Sequence, residues 1–298
     1  MTGNKNFPNF FILGSAKCGT TALYEVLKNH PDIYFPLIKE PQFFCNEKLY
    51  AKGIDFYLKT YFSDVKDYKA IGEATPHYLY YEKVAKRISN DLPEKNHRFI
   101  IILRNPVKRA YSLYWNMVKE GYETLSFTDA VEAESERLKD PMLEKMGTLK
   151  YMYLNSGFFG KEIDAYLKYF SKDKFLILFQ EDLIKSPEKV YDSIFKFLNI
   201  KDIDISEESK VNHNEAAMPR FKKLHAFLRG KSGFKRLLGK LLPVNLKYLI
   251  VTKLINTNMK KENYPKLDQE LEIKLKKHFL ADIIRLEEIT GRNLDHWK

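Results

Sequence analysis

A lysine among small residues, flanked by glycines and followed by hydroxyls, is a set of groups suited to gripping a phosphate. Gly14-Ser15-Ala16-Lys17-Cys18-Gly19-Thr20-Thr21 supplies that set. An apolar run, Phe10 to Leu13, leads in, and apolar residues recur at helical spacing up to Leu27. The pattern predicts a buried strand, a tight loop and the first turns of a helix. The free amides and positive dipole end of such a helix make an anion cradle. Gly14 and Gly19 allow close backbone approach, and Thr20 or Thr21 is expected to cap the helix. The loop departs from the Walker A pattern G-x-x-x-x-G-K-[ST]: Thr20 stands where the lysine belongs, and the only lysine, Lys17, lies inside the loop. It reads as a phosphate site for something other than Mg-ATP. Cys18 reads as a small loop residue rather than a nucleophile.

Two further groups of residues have chemical potential. Arg104 follows the apolar run Phe99-Ile100-Ile101-Ile102-Leu103, and Ser112 comes eight residues later, beyond the helix-start signal Pro106. A guanidinium fork with a hydroxyl nearby suits a second phosphate. Glu40 sits in Lys39-Glu40-Pro41-Gln42-Phe43-Phe44, and His77 in Glu73-Ala74-Thr75-Pro76-His77-Tyr78. Either is a candidate proton acceptor. Phe43 and Phe44 are expected to raise the Glu40 pKa by burial. Glu73 reads either as a partner that orients Lys17 or as a surface ion-pair residue, and Tyr78, Tyr80 and Tyr81 as walls of a cleft.

The elements that must position these groups alternate. Strands are expected at 10–14, 33–36, 70–74, 99–103 and 175–179. Helices are expected after residue 20 and over 53–62, 80–92, 159–170, 187–198 and 266–290, with one helix and a loop in 120–150. The continuous apolar strands read as buried on both faces. Alternation of this kind implies an α/β fold: a P-loop-like central parallel β-sheet flanked by helices. Ligands of such sheets bind at the carboxyl ends of the strands, where both phosphate-type junctions fall.

The 298 residues, 44% hydrophobic and 30% charged, suit a single domain over 1–298: an α/β nucleotide-binding core at 8–215 and a basic helical C-terminal part at 216–298. The net charge of +11 is concentrated in that second part. Residues 216–261 contain no Asp or Glu but twelve Lys and Arg. The block either binds an acidic glycan or an anionic membrane surface, or forms a helical subdomain with solvated lysines, and the last reading is preferred. No apolar run approaches the roughly 20 residues of a membrane span. The polar first residues and two unaccompanied cysteines, Cys18 and Cys45, point to a reduced, cytoplasmic protein, peripheral at the inner membrane face if the basic block docks there.

Taken together, these motifs resemble the sulfotransferase family. The 14–21 loop is similar to that family's loop for the 5′-phosphosulfate of PAPS (3′-phosphoadenosine 5′-phosphosulfate), and Arg104 with Ser112 to its 3′-phosphate motif. Glu40-Pro41-Gln42-Phe43-Phe44 and Lys52-Gly53-Ile54-Asp55-Phe56-Tyr57 look like the branch containing the heparan sulfate sulfotransferases and many bacterial relatives. The resemblance covers most of 8–200 and returns at 263–297. It implies PAPS as donor, PAP as product and no metal, with a hydroxyl or amine acceptor on a glycan, lipid or metabolite and no nucleic-acid partner. Ser15, Ala16, Lys17, Cys18, Gly19, Thr20 and Thr21 would hold the 5′ end, and Arg104 and Ser112 the 3′-phosphate. Lys210 and Asn212 (with Asn214) would belong to a loop closing over the nucleotide. Lys17 and Glu40 would be catalytic, with His77 the alternative base. In the heparan-type enzymes a second lysine lies between the Glu and Thr of Glu73-Ala74-Thr75, where this chain has Ala74. The rival readings are a P-loop kinase or NTPase and a non-catalytic basic polyanion- or membrane-binding protein.

Overall fold

A computed structural model describes residues 7–92, 97–147, 149–205, 217–221, 257–261 and 264–298. Lys210, Asn212, Asn214 and most of the basic block at 220–261 lie outside these residues.

Five parallel strands form the central sheet: β1 (Phe10–Gly14), β2 (Ile33–Tyr34), β3 (Ala70–Ala74), β4 (Arg98–Leu103) and β5 (Phe175–Phe179), in the order β2-β3-β1-β4-β5. The chain leaves β1 towards one edge, returns to it through β3, and then crosses to β4 and β5 on its other side. The crossover opens a crevice between the carboxyl ends of β1 and β4, the place where an open α/β sheet takes its ligands. Gly14 ends one of these strands and Leu103 the other. The two phosphate-type motifs therefore meet at one point in space.

The sheet is as dry as its sequence implies. Every residue of β1 is buried, as are Phe99 to Leu103 of β4, so helices must cover both faces. Towards β3, Phe44 packs edge-on against Phe11, Tyr57 and Tyr78, and Phe43 stacks on Tyr57. On the same face, towards β5, Phe99 stacks on Phe11 and packs on Phe175, Phe170 and Tyr166.

Four helices frame the strand ends: α1 (Thr20–Leu27), α2 (Glu47–Tyr50), α3 (Ile54–Tyr61) and α4 (Glu82–Asp91). Helix α4 starts later than its apolar pattern suggests. The amides of Tyr78 and Tyr81 bond back to the Thr75 and Tyr78 carbonyls, at 3.0 and 3.2 Å, and keep Tyr80 and Tyr81 in a turn. Helix α5 (Pro106–Lys119) begins with proline, and the Asn105 side chain accepts from the Val107 and Lys108 amides. The 120–150 stretch holds three short helices, at Phe127–Glu132, Glu134–Arg137 and Pro141–Met146, rather than one.

The chain end is part of the core. The helix Gln269–Thr290 is capped by Asp268 and stopped by Gly291 at φ 70°. Its buried residues Leu275, Phe279, Ile283, Leu286 and Ile289 form one stripe, and the helix packs on Phe159–Leu167 and α5. Trp297 then returns to the sheet, fully buried against Phe179, with its indole N–H donating to Glu181 at 2.8 Å. The part after 216 is not wholly helical: Ala217–Pro219 and Met259–Lys261 pair as a short antiparallel ribbon beside α5. Among the described residues no helix is long and apolar enough to cross a membrane.

Candidate active site

The phosphate loop is fastened at both ends. The Ser15 amide donates to the Ile102 carbonyl of β4 at 2.8 Å, and the Cys18 amide to the Ser15 carbonyl at 3.2 Å. At Gly14 a Cβ would stand 2.9 Å from the Pro76 carbonyl oxygen, so the β3 loop closes on it only because it is glycine. Gly19, at φ 111°, takes the cap position of α1 with no side-chain cap bond. Thr20 and Thr21 are therefore the first helical residues rather than caps. A left-handed glycine turns the chain so that the first-turn amides point outward, as an anion cradle requires. Ala16 and Cys18 are buried loop filling, and burial pushes the Cys18 thiol up to about 12. Such a thiol is not a nucleophile at neutral pH.

Lys17 is where the two motifs join. Its own φ is 69°, its ammonium donates to Asn116 Oδ1 at 3.3 Å, and its carbonyl accepts from Arg104 at 3.4 Å. Asn116 stands one turn beyond Ser112 on the same face of α5. Burial, helped by Lys119 and Arg104, holds the Lys17 pKa below the ordinary lysine value. Burial likewise lowers that of Arg104. Three cations crowded at a strand-end crevice repel one another until an anion arrives. Tyr264, stacked on Trp115 at 5.1 Å, also lies near Arg104. The sequence reading missed Asn116 and Lys119. The available signal was their spacing of four and seven residues from Ser112 on a predicted helix.

The proton-accepting side is built from loops. Glu40 and Gln42 adopt left-handed φ values of 55° and 56° on either side of Pro41, a conformation that costs non-glycine residues about 1 kcal/mol each. The segment is held by a buried chain of hydrogen bonds. The Gln42 amide donates to Thr75 Oγ1 at 3.4 Å, and the Thr75 hydroxyl donates to Glu73 Oε1 at 2.7 Å. Tyr57 donates to the other carboxyl oxygen of Glu73. Glu73 is fully buried, so it neither pairs at the surface nor reaches Lys17, and desolvation raises its pKa to about 7. Tyr78 is also fully buried beside Glu73, whereas Tyr80 and Tyr81 remain in the turn. Phe43 and Phe44 face the core, not Glu40, which is half-buried.

The structure does bring Glu40 and His77 together. The Glu40 carboxylate pulls the His77 pKa upward, but burial outweighs it and the net direction is down. His77 Nδ1 lies 3.1 Å from the Gly147 carbonyl, which can only accept, so Nδ1 carries the proton and Nε2 is left as a lone-pair acceptor. A carboxylate and an imidazole thus stand near each other.

A cavity of about 820 Å³ lies elsewhere, lined by Tyr80, Tyr81, Phe158, Glu162, His278 and Arg285 among others. Neither residues 14–21 nor Arg104 line it, so the two phosphate-type motifs lie apart from this cavity. Among the described residues no group of three or more His, Cys, Asp or Glu is arranged to hold a metal ion.

Comparison with known proteins bears on the family and the fold. The family model for the sulfotransferase domain matches residues 7–228. The chain is 28% identical over 292 residues to the heparan sulfate glucosamine 3-O-sulfotransferase 5 of Mus musculus, covering 98% of this chain and 74% of that protein. It is 32% identical over 204 residues to a bifunctional heparan sulfate N-deacetylase/N-sulfotransferase 4 of Mus musculus, covering 65% of this chain and 22% of that protein. A crystal structure of a sulfotransferase from Alicyclobacillus acidocaldarius superimposes with a TM-score of 0.69 at 25% identity, covering 98% of this chain and 99% of that one.

Proposed function

The chain belongs to the sulfotransferase family, and from that premise we propose which residues carry the transfer and what they act on. The family's donor is PAPS. Its 5′-phosphosulfate would rest on the first-turn amides of α1 and the hydroxyls of Thr20 and Thr21, with Lys17 at the bridging oxygen. Arg104 and Ser112 would take the 3′-phosphate. The observation that carries this assignment is Lys17 itself, held at once by Asn116 of α5 and by Arg104. That double tie, which joins the loop to the arginine motif, supports the reading that the two share one small ligand with two phosphates.

The residues fit such a donor. The cradle has a left-handed glycine at its cap position, an ammonium and a guanidinium whose pKa values are lowered by burial, and no side chain occupying the helix cap. In the transfer, charge grows on the oxygen leaving sulfur, so positioning and fixed positive charge dominate the rate. Glu40 takes the acceptor's proton as its oxygen or nitrogen attacks, while neutral His77, fixed by Gly147, accepts a hydrogen bond at Nε2. The acceptor is read as a glycan hydroxyl or amine, because the similar curated proteins are named for heparan sulfate. The basic block at 220–261 gives this reading an acidic counterpart, the glycan itself or an anionic membrane face bordering the cytoplasm.

Incubation with PAPS and completely desulfated, N-acetylated or N-free heparan chains, followed by disaccharide analysis, tests the acceptor. Sulfate appearing on either chain supports it. Transfer to neither, by an enzyme that transfers to a small phenol or alcohol, removes the glycan.

A further inference from the structure

Beside the candidate base stands a cation that the assignment above leaves unused. Lys39 precedes Glu40 in the loop, yet its side chain goes the other way. Its ammonium lies 3.3 Å from Thr21 Oγ1 and 5.0 Å from the centre of the Tyr24 ring, one turn further along α1. The loop that carries Glu40 towards His77 therefore also reaches back to the first turn of the phosphate helix. An ammonium has three donors. One serves Thr21, a first-turn residue of the helix whose start the donor's 5′ group would occupy, and the Tyr24 ring lies against the group. By accepting from Lys39, Thr21 keeps its own O–H for the phosphate.

The chemistry has room for this charge. As the S–O bond to the 5′-phosphate breaks, its electron pair stays on the phosphate oxygen. The new S–O or S–N bond forms to the acceptor, whose proton passes to Glu40. Lys17 supplies one cation on the α5 side. The carboxyl end of β3 supplies none, since Ala74 is small and buried and the carboxyl of Glu73 is bound by Tyr57 and Thr75. Lys39 comes from the Glu40 loop and Lys17 from the loop that leads into α1, so lysines of two separate segments stand by the helix start.

We propose that Lys39 is a further catalytic residue, a second ammonium that contacts the sulfuryl group at the start of α1 and stabilises the charge developing during transfer. The proposal rests on the PAPS reading above. It places the contact on the sulfuryl group, which PAPS carries and PAP lacks.

That difference makes the test. Calorimetric affinities for PAPS without acceptor and for PAP are measured for wild type, Lys39→Ala and Lys39→Arg, alongside kcat and thermal melting. Lys39→Ala is expected to lose about 10-fold in PAPS affinity and about 10- to 100-fold in kcat while PAP affinity stays within about 3-fold. Lys39→Arg is expected to recover most of both, and melting to stay unchanged. Equal losses for PAPS and PAP, or unchanged kcat with only a raised acceptor KM, would overturn it: the first makes Lys39 a structural clamp on Thr21, the second an acceptor contact. Wild-type protein that binds neither nucleotide would instead sink the PAPS reading.

Discussion

The two halves of the site are made in different ways. The proposed donor half sits on strand ends and helix starts: Gly14 and Gly19 bracket a loop tied to β4, Arg104 directly follows β4, and Ser112 rides on the adjoining helix α5. The acceptor half sits on loops. Glu40 and Gln42 hold unfavourable φ values, and next to them Leu37 and Ile38 are 96% and 56% exposed. Regular structure fixes the groups that must grip the same nucleotide each turnover. A strained loop, braced from beneath by Glu73, Thr75 and Tyr57, carries Glu40, the proposed base for an acceptor that would enter from solvent. Binding and rate should therefore be separable by mutation.

The largest effect is expected on the donor side. Lys17→Ala should cut kcat by about 1000-fold, because one cation at developing charge in a dry site contributes on this scale. Initial rates with saturating PAPS measure it, and a loss below about 10-fold would break the assignment. On the acceptor side Glu40→Gln should lower kcat by about 100-fold or more and leave PAP affinity within about 2-fold. A variant that keeps its rate would transfer the role of base to His77, and His77→Asn should then abolish turnover.

A smaller effect reports on the brace. Glu73 binds its proton more tightly in the folded protein, with a pKa near 7 against the ordinary 4.5. The folded state thus holds more protons than the unfolded one between these values. The Glu73 contribution to stability is fully present below pH 4.5 and is lost as pH rises through 7, about 3 kcal/mol in all. Melting temperatures of wild type should decline from pH 5 to 8, and Glu73→Gln should flatten that decline. Parallel curves for the two proteins would show that Glu73 titrates as an ordinary carboxyl and braces nothing.

The elements that carry the proposed donor residues were legible because they are local. A strand, a glycine loop and a helix start are written in consecutive residues, and the Arg104–Ser112 spacing lies within one junction. What failed there was fine geometry: a left-handed Gly19, not a threonine hydroxyl, opens α1. The acceptor half was legible only through resemblance. No periodicity reveals that Phe43 and Phe44 would face the core, that Glu73 would be a buried acid among tyrosines, or that Tyr78 would join it. These depend on which strand lies beside β3, a long-range outcome. The Asn116–Lys17 bond likewise joins residues 99 apart in sequence. Lys210 and Asn212 fall outside the described residues, so the nucleotide-closing loop stays an expectation of sequence alone.

The most direct test is calorimetric titration of PAP into wild type and Arg104→Ala in EDTA, with Mg-ATP as the competitor ligand. A crevice made for two phosphates predicts micromolar PAP binding without metal, much weaker binding of Mg-ATP, and a loss of about 1.5–3 kcal/mol, roughly 10- to 150-fold, in Arg104→Ala. Absence of PAP binding, a preference for Mg-ATP, or unchanged affinity in the variant would contradict it.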